Sequence, residues 1–172
     1  VWGYARMIEE LKDDMQSVFI ETSQIFTAVG SGGTYAGILA GLTAYQAAAS
    51  HRAVGTLVSD NVEYFRDKIH SDLSSWADQF ECNESFQEPI LDDRFIGQGY
   101  GKAGPAIYEL IRKIAKQEGL FLDPVYSAKA FQGMLARIKE GAVPEDHAIF
   151  VHTGGLFGMM AHAQELSDAL EN

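Results

Sequence analysis

Ile25-Phe26-Thr27-Ala28-Val29-Gly30-Ser31-Gly32-Gly33-Thr34 decides the fold: a short, largely apolar run enters a glycine-rich turn, and helical patterning follows from Tyr35. The run reads as a buried strand and the segment after the turn as a helix reaching Ala49. Backbone N–H groups at such a strand-to-helix turn converge on an anion, and the helix adds the positive end of its dipole. Glycines at 30, 32 and 33 remove the β-carbons that would crowd that anion, while Ser31 and Thr34 can add hydroxyl donors. Gly30, Ser31, Gly32, Gly33 and Thr34 are therefore the candidate phosphate cradle. The plain alternative is a tight structural turn that holds no anion.

Two familiar phosphate loops fit poorly. A Walker loop ends in Lys followed by Ser or Thr, whereas this one continues Thr34-Tyr35-Ala36-Gly37. A dinucleotide fingerprint places glycine where Tyr35 stands and an acidic ribose ligand about 20 residues later, and neither is found.

Outward from the turn, Met7, Ile8, Leu11 and Met15 give residues from about Tyr4 to Val18 helical spacing. Ala53–Val58 reads as a second strand, and Asn61 or Asp60 can cap a helix running towards Gln79. Residues 81–89 look like a connection, and a third strand is expected at Ile90-Leu91, continuing towards Phe95-Ile96. Gly97-Gln98-Gly99-Tyr100-Gly101 reads as a flexible loop before a helix from Pro105 to Gln117, which Gly119 stops. Another helix is expected from Ser127 to before Gly141. A last strand, Ala148–His152, enters Thr153-Gly154-Gly155 and a terminal helix from Leu156. Repeated strand-to-helix connections predict an α/β domain with a mainly parallel sheet flanked by helices.

The 172 residues and their 47% apolar fraction suit one globular domain. A net charge of −11, from 24 acidic against 13 basic residues, disfavours nucleic acid or an anionic membrane as a partner. Cys82 stands alone, so no disulfide within the chain is possible, and with no signal peptide a cytoplasmic setting is expected. The opening Val1-Trp2-Gly3-Tyr4 leads straight into helix, so the sequence is expected to begin partway through a longer protein.

Loops at the carboxyl ends of parallel strands share a face, so Gly99-Tyr100-Gly101, Asp123-Pro124-Val125-Tyr126 and His152–Gly155 are expected to converge with the glycine turn. There Tyr126 can transfer a proton if a nearby cation activates its phenol, and Tyr100 can orient a substrate or polarise Tyr126. Either tyrosine can equally be a packing residue. Thr153 can hydrogen-bond a heterocyclic nitrogen or cap a helix. Lys129, three residues after Tyr126, can face the same side, although a solvent-facing lysine is the simpler expectation. His152 is the best placed of five scattered histidines, and a local hydrogen bond explains it as readily as catalysis. No metal-ligand spacing is found. Asp60, Asp92, Asp93 and Asp123 read as caps and loop contacts.

At these loops the sequence resembles the pyridoxal-phosphate-dependent enzymes of the tryptophan-synthase β-subunit fold. Within that group it resembles the D-cysteine desulfhydrase and 1-aminocyclopropane-1-carboxylate deaminase family. The resemblance rests on Val29–Gly37, Gly99-Tyr100-Gly101, Leu122–Ala130 and Ile149–Gly158. It implies pyridoxal 5'-phosphate as cofactor, held at its phosphate by Gly30 through Thr34, with Thr153 near the pyridine nitrogen. Tyr100 and Tyr126 would flank a small amino-acid substrate, and the full-length enzyme would be a homodimer.

The deaminase pattern has Glu directly after the tyrosine that matches Tyr126, and here Ser127 stands there. That departure favours a D-cysteine desulfhydrase-like β-elimination to pyruvate, ammonia and hydrogen sulfide over the deaminase reaction. The family's cofactor-linking lysine precedes the matched blocks, and Lys129 does not take its place. The resemblance therefore implies that residues 1–172 are the carboxyl-terminal part of the large cofactor-binding domain, without the amino-terminal part and the smaller domain. A noncatalytic partner subunit retaining the fold is the competing expectation.

Overall fold

Parallel strands cannot be joined by tight turns, so each connection here carries a helix. The computed structural model describes residues 1–144 and 147–171, with the backbone alone for 169–171. In chain order the elements are α1 (Trp2–Ser17), β1 (Ser23–Val29), α2 (Gly33–Ala44), β2 (His51–Leu57), α3 (Val62–Phe80), β3 (Ile90–Asp92), α4 (Pro105–Glu118), α5 (Ser127–Lys139), β4 (His147–Phe150), α6 (Leu156–Met160) and α7 (Ala163–Glu171). Four strands form one all-parallel sheet in the order β3-β2-β1-β4. In register, Ser23 of β1 lies between His51 of β2 and His147 of β4.

The chain winds from β1 through β2 to β3 on one side, then crosses back to lay β4 on the other flank of β1. That reversal leaves a crevice beyond the carboxyl ends of β1 and β4, the position where open α/β sheets bind ligands. Val151 N–H donates to the Phe26 carbonyl at 2.8 Å, carrying the β1–β4 alignment to the mouth of the crevice.

Both faces of the sheet are covered. Ile25 and Val29 point into a core built with α1, α2 and α3, including Ile8, Leu39, Phe65, Ile69 and Trp76. Phe26 points the other way, onto Val54 and Met134 of α5. Helix α2 is buried along nearly its whole length, from Tyr35 to Thr43. Its glycines let α1 approach closely: a Cβ at Gly37 would lie 2.5 Å from the Val1 carbonyl oxygen, and one at Gly41 would lie 2.6 Å from that of Ala5.

The structure moves several expected boundaries. Helix α2 ends at Ala44 rather than Ala49, because Gln46 takes a left-handed conformation (φ 55°) and Ala47 N–H turns back to the Leu42 carbonyl. Strand β3 stops at Asp92 because the Asp92 carboxylate accepts from the Arg94 backbone N–H and guanidinium, which folds the chain out of the sheet. The terminal helix is divided into α6 and α7. Of the two candidate caps for α3, Asn61 serves, accepting from Tyr64 N–H at 2.9 Å. No helix among the described residues is long and apolar enough to cross a membrane.

Candidate active site

The glycine turn joins β1 to α2 through Gly32, which caps the helix in a left-handed conformation (φ 87°). A glycine cap has no side chain to satisfy the first-turn N–H groups, so these donors remain available to an external acceptor. Gly30 is required for a different reason. A Cβ there would sit 2.6 Å from Cε1 of Tyr126, so the tyrosine ring rests where a side chain would otherwise stand.

A cavity of about 480 Å3 opens over this turn, a size common for small-molecule sites. Gly30, Ser31, Gly32 and Thr34 line one wall, Tyr100 and Tyr126 another, and Thr153, Gly154 and Gly155 a third. Gly33 begins α2 behind the turn and is not part of the lining. Segments more than 100 residues apart in sequence thus meet at the crevice. No charged side chain lines it among the described residues. In a chain of net charge −11, this keeps carboxylates off the cavity wall itself, Asp123 lying buried beneath Tyr126 with both oxygens hydrogen-bonded.

Tyr4 of α1 also lines the cavity, a residue the sequence reading passed over. The available signal was the Gly37/Gly41 pair, four residues apart on α2, which marks the close approach of another helix.

Tyr126 is held from below by Asp123. That buried carboxylate accepts from Val125 N–H (2.8 Å) and Tyr126 N–H (2.9 Å) through Oδ2, and from Ser127 N–H (2.8 Å) and Ser127 Oγ (2.6 Å) through Oδ1. Ser127, where the deaminase pattern has Glu, is itself buried and turned inward onto Asp123. The third loop rests on the same carboxylate: Gly155 has φ 101°, and a Cβ there would lie 2.5 Å from Asp123 Oδ1. Asp123 is thus the loop contact expected of it, tying two cavity walls together.

The hydroxyls of Tyr100 and Tyr126 are hydrogen-bonded, and their rings meet edge to face with centroids 5.8 Å apart. The bond to Tyr100 raises the Tyr126 phenol to about 12, burial and the Asp123 charge adding to it. Tyr126 is therefore protonated near neutral pH.

The expected solvent-facing Lys129 is corrected: the side chain is buried at 1% exposure. Its Nζ donates to the carbonyls of Ile96 (2.7 Å) and Gly99 (3.0 Å), so its bonds go to the Tyr100 loop and not to the tyrosine hydroxyls. Thr153 is exposed at the cavity, while Gly155 takes the cap position of α6. His152 makes one local bond and one long-range bond: Nδ1 accepts from Gly154 N–H at 3.1 Å, and Nε2 donates to the carbonyl of Phe121, 31 residues earlier, at 2.8 Å.

An α/β fold with an uncharged, glycine-walled crevice at its switch point is the kind of site that ligand-binding α/β enzymes carry, and comparison with known proteins gives the family. The model of the family described as "Pyridoxal-phosphate dependent enzyme" matches residues 1–154, and the chain belongs to that family. The cofactor of the family is pyridoxal phosphate, and the side-chain-free cap at Gly32, the Cβ-free Gly30 and the absence of lining carboxylates fit its phosphate.

A Pyrococcus abyssi protein named "Putative 1-aminocyclopropane-1-carboxylate deaminase" is 35% identical over 168 residues, which are 98% of this chain and 50% of that protein. The D-cysteine desulfhydrase of Serratia proteamaculans is 32% identical, over 93% of this chain and 48% of its own length. A crystal structure described as an ACC deaminase homologue superposes with a TM-score of 0.87 at 30% identity, over 97% of this chain and 49% of that one. Threonine deaminase isoform 2 from Solanum lycopersicum shares the fold, with a TM-score of 0.56 at 17% identity.

These matches correct one expectation. The sequence reading places the chain as only the carboxyl-terminal half of a family enzyme, on blocks that begin at Val29. The family model instead engages the chain from residue 1, and the relatives align over nearly all of it. The chain spans about half the length of the curated relatives it matches, and its assignment to their carboxyl-terminal half is not retained.

Proposed function

We propose that the chain forms the phosphate-binding and proton-handling wall of a pyridoxal-phosphate-dependent lyase or deaminase acting on a small amino acid. The observation that carries this reading is the cavity in which the glycine turn, the tyrosine pair and Thr153 face one another. When bound, the cofactor supplies electron withdrawal at the α-carbon of the substrate. The remaining work falls to the protein. Amides of residues 30–34 and the α2 terminus hold the phosphate, and Ser31 and Thr34 add hydroxyl donors. Thr153 offers the pyridine nitrogen an uncharged contact.

Tyr126 holds a proton over the cavity, and Tyr100 fixes the direction of that hydroxyl. No lysine lines the cavity among the described residues, so the amine that links the cofactor belongs, in this proposal, to another segment of the full protein.

Of the two finer reactions, deamination of 1-aminocyclopropane-1-carboxylate is favoured by the names of four similar relatives from Pyrococcus and Thermotoga species. D-cysteine desulfhydration is the second reading, favoured by the inward-turned Ser127 in place of Glu. A homodimer of the full protein belongs to the same proposal, and its mass in solution tests that part.

Loading the full protein with pyridoxal phosphate and supplying each amino acid separates the readings. Ammonia from the cyclopropane substrate supports the first. Sulfide and pyruvate from D-cysteine support the second. A protein that leaves the cofactor spectrum unchanged and releases no ammonia from either overturns both.

A further inference from the structure

We propose that Lys129 is a positioning residue, whose buried ammonium fixes the loop 96–101 so that the Tyr100 hydroxyl meets that of Tyr126. The proposal rests on the reading of this tyrosine pair as the proton-handling group, and it deepens that reading.

The loop has little else to hold it. Gly97, Gly99 and Gly101 take left-handed conformations (φ 65°, 110° and 70°), and a Cβ at any of them would touch nothing within 4 Å. Ile96 packs against the main core and pins the loop at its start, but packing does not fix the backbone at these glycines. Tyr100 is 58% exposed, so burial does not hold its ring either. The backbone bonds at the loop are long: Ile96 N–H to the Asp93 carbonyl at 3.4 Å, Gly99 N–H to Ile96 at 3.4 Å, and Lys102 N–H to Gly99 at 3.3 Å. Against these, Lys129 Nζ reaches the Ile96 and Gly99 carbonyls at 2.7 and 3.0 Å. Bonds from a charged donor are both shorter and stronger than neutral ones. The ammonium is the firmest hold on the loop.

Its location explains how this hold serves the site. Lys129 lies in the first turn of α5, three residues after Tyr126, so both side chains spring from one rigid turn. Tyr126 is attached to that turn directly and Tyr100 is attached through Lys129. The geometry between the hydroxyls is thereby set by a single helix end. Burying an ammonium is costly, and an apolar chain of similar volume fills such space without that cost. Burial lowers the lysine from its ordinary range and the charge of Asp123 opposes that shift, so a carboxylate accompanies the buried cation.

The test uses the full protein loaded with pyridoxal phosphate, with the variants Lys129→Met, Tyr100→Phe and the double change. Hydrogen exchange in a peptide covering residues 96–102 should quicken about tenfold or more in Lys129→Met, while the Gly30–Thr34 segment is unaffected. With the faster of the two substrates, kcat should fall by about tenfold or more for Lys129→Met, with KM and cofactor affinity within about threefold. The double variant should be no more than about twofold slower than Tyr100→Phe alone, because both changes remove one function.

Lys129→Gln, which keeps a donor, should recover part of the loss, and it carries the comparison if the methionine variant fails to fold. Unchanged exchange at 96–102, or losses that multiply in the double variant, overturn the proposal. An inactive parent protein overturns the catalytic reading instead, and the exchange measurement then decides the anchor by itself.

Discussion

Replacing Asp123 with Asn tests whether one carboxylate organises the turn beneath Tyr126. The two side chains have nearly the same shape, so the change isolates hydrogen bonding and charge. Asp123 is 1% exposed and accepts four bonds, two at each oxygen. An Asn amide must place its NH2 on one of those sides. Facing Val125 and Tyr126, it would confront two buried N–H donors. Facing Ser127, it would confront one N–H, while the hydroxyl can rotate to accept. The second orientation is the cheaper one and still strands a buried donor, at about 1–3 kcal/mol. The surviving bonds also lose their charge assistance, partly offset because a buried charge no longer needs to be desolvated. The net loss expected is about 2–4 kcal/mol, or some 5–15 °C in melting temperature for a chain of this size. Thermal unfolding followed by circular dichroism measures it. A melting temperature within about 2 °C of the parent would refute the view that these four bonds hold the turn.

Three further outcomes follow from distances already given. Gly30→Ala sets a methyl 2.6 Å from the Tyr126 ring, so the ring must swing away, and pyridoxal phosphate affinity in an absorbance titration should fall about tenfold or more. Gly41→Val drives a branched side chain against the Ala5 carbonyl oxygen and Ile8 in α1, and should cost about 2 kcal/mol in chemical unfolding. In a tyrosinate absorbance titration, Tyr126 should ionise at about 12, and Tyr100→Phe should bring it down towards its ordinary value, since the bond to Tyr100 is the leading cause of the shift. Because the folded value is raised, the stabilisation from Tyr126 is complete below about pH 10 and is lost as pH climbs towards 12.

What could be read from sequence was local. The run before Gly30, the glycines after it, the Asn61 cap and the Gly119 stop each act within a few residues, so their chemistry shows in adjacent letters. The convergence of the loops after β1, β3 and β4 also follows from strand order, because parallel sheets place such loops on a common face. The Asp123–Tyr126 loop, by contrast, lies between two helices and is brought in by α5 packing on the sheet.

Other features depend on partners far along the chain. Lys129 bonds to carbonyls 33 and 30 positions earlier, and no local pattern distinguishes a buried lysine from an exposed one. Tyr35, legible in sequence as the start of a helix and a misfit to a dinucleotide turn, is fully buried. Its hydroxyl accepts from Ile90 N–H at 2.9 Å and lies within bonding distance of the Ala53 carbonyl, joining β2 to β3. Strand β3 is shorter than its letters suggest because the backbone N–H and guanidinium of Arg94 both bond the Asp92 carboxylate and interrupt an otherwise plausible run.

The winding order of the sheet has a consequence for how the protein matures. Gly30 and Thr153 become neighbours only once the last strand has slid in beside the first, so a chain still emerging from the ribosome owns the cradle long before it owns the opposite wall. Small molecules gripped by both walls will favour the state in which the two walls have met, and their retention will mark the moment at which β4 has docked beside β1.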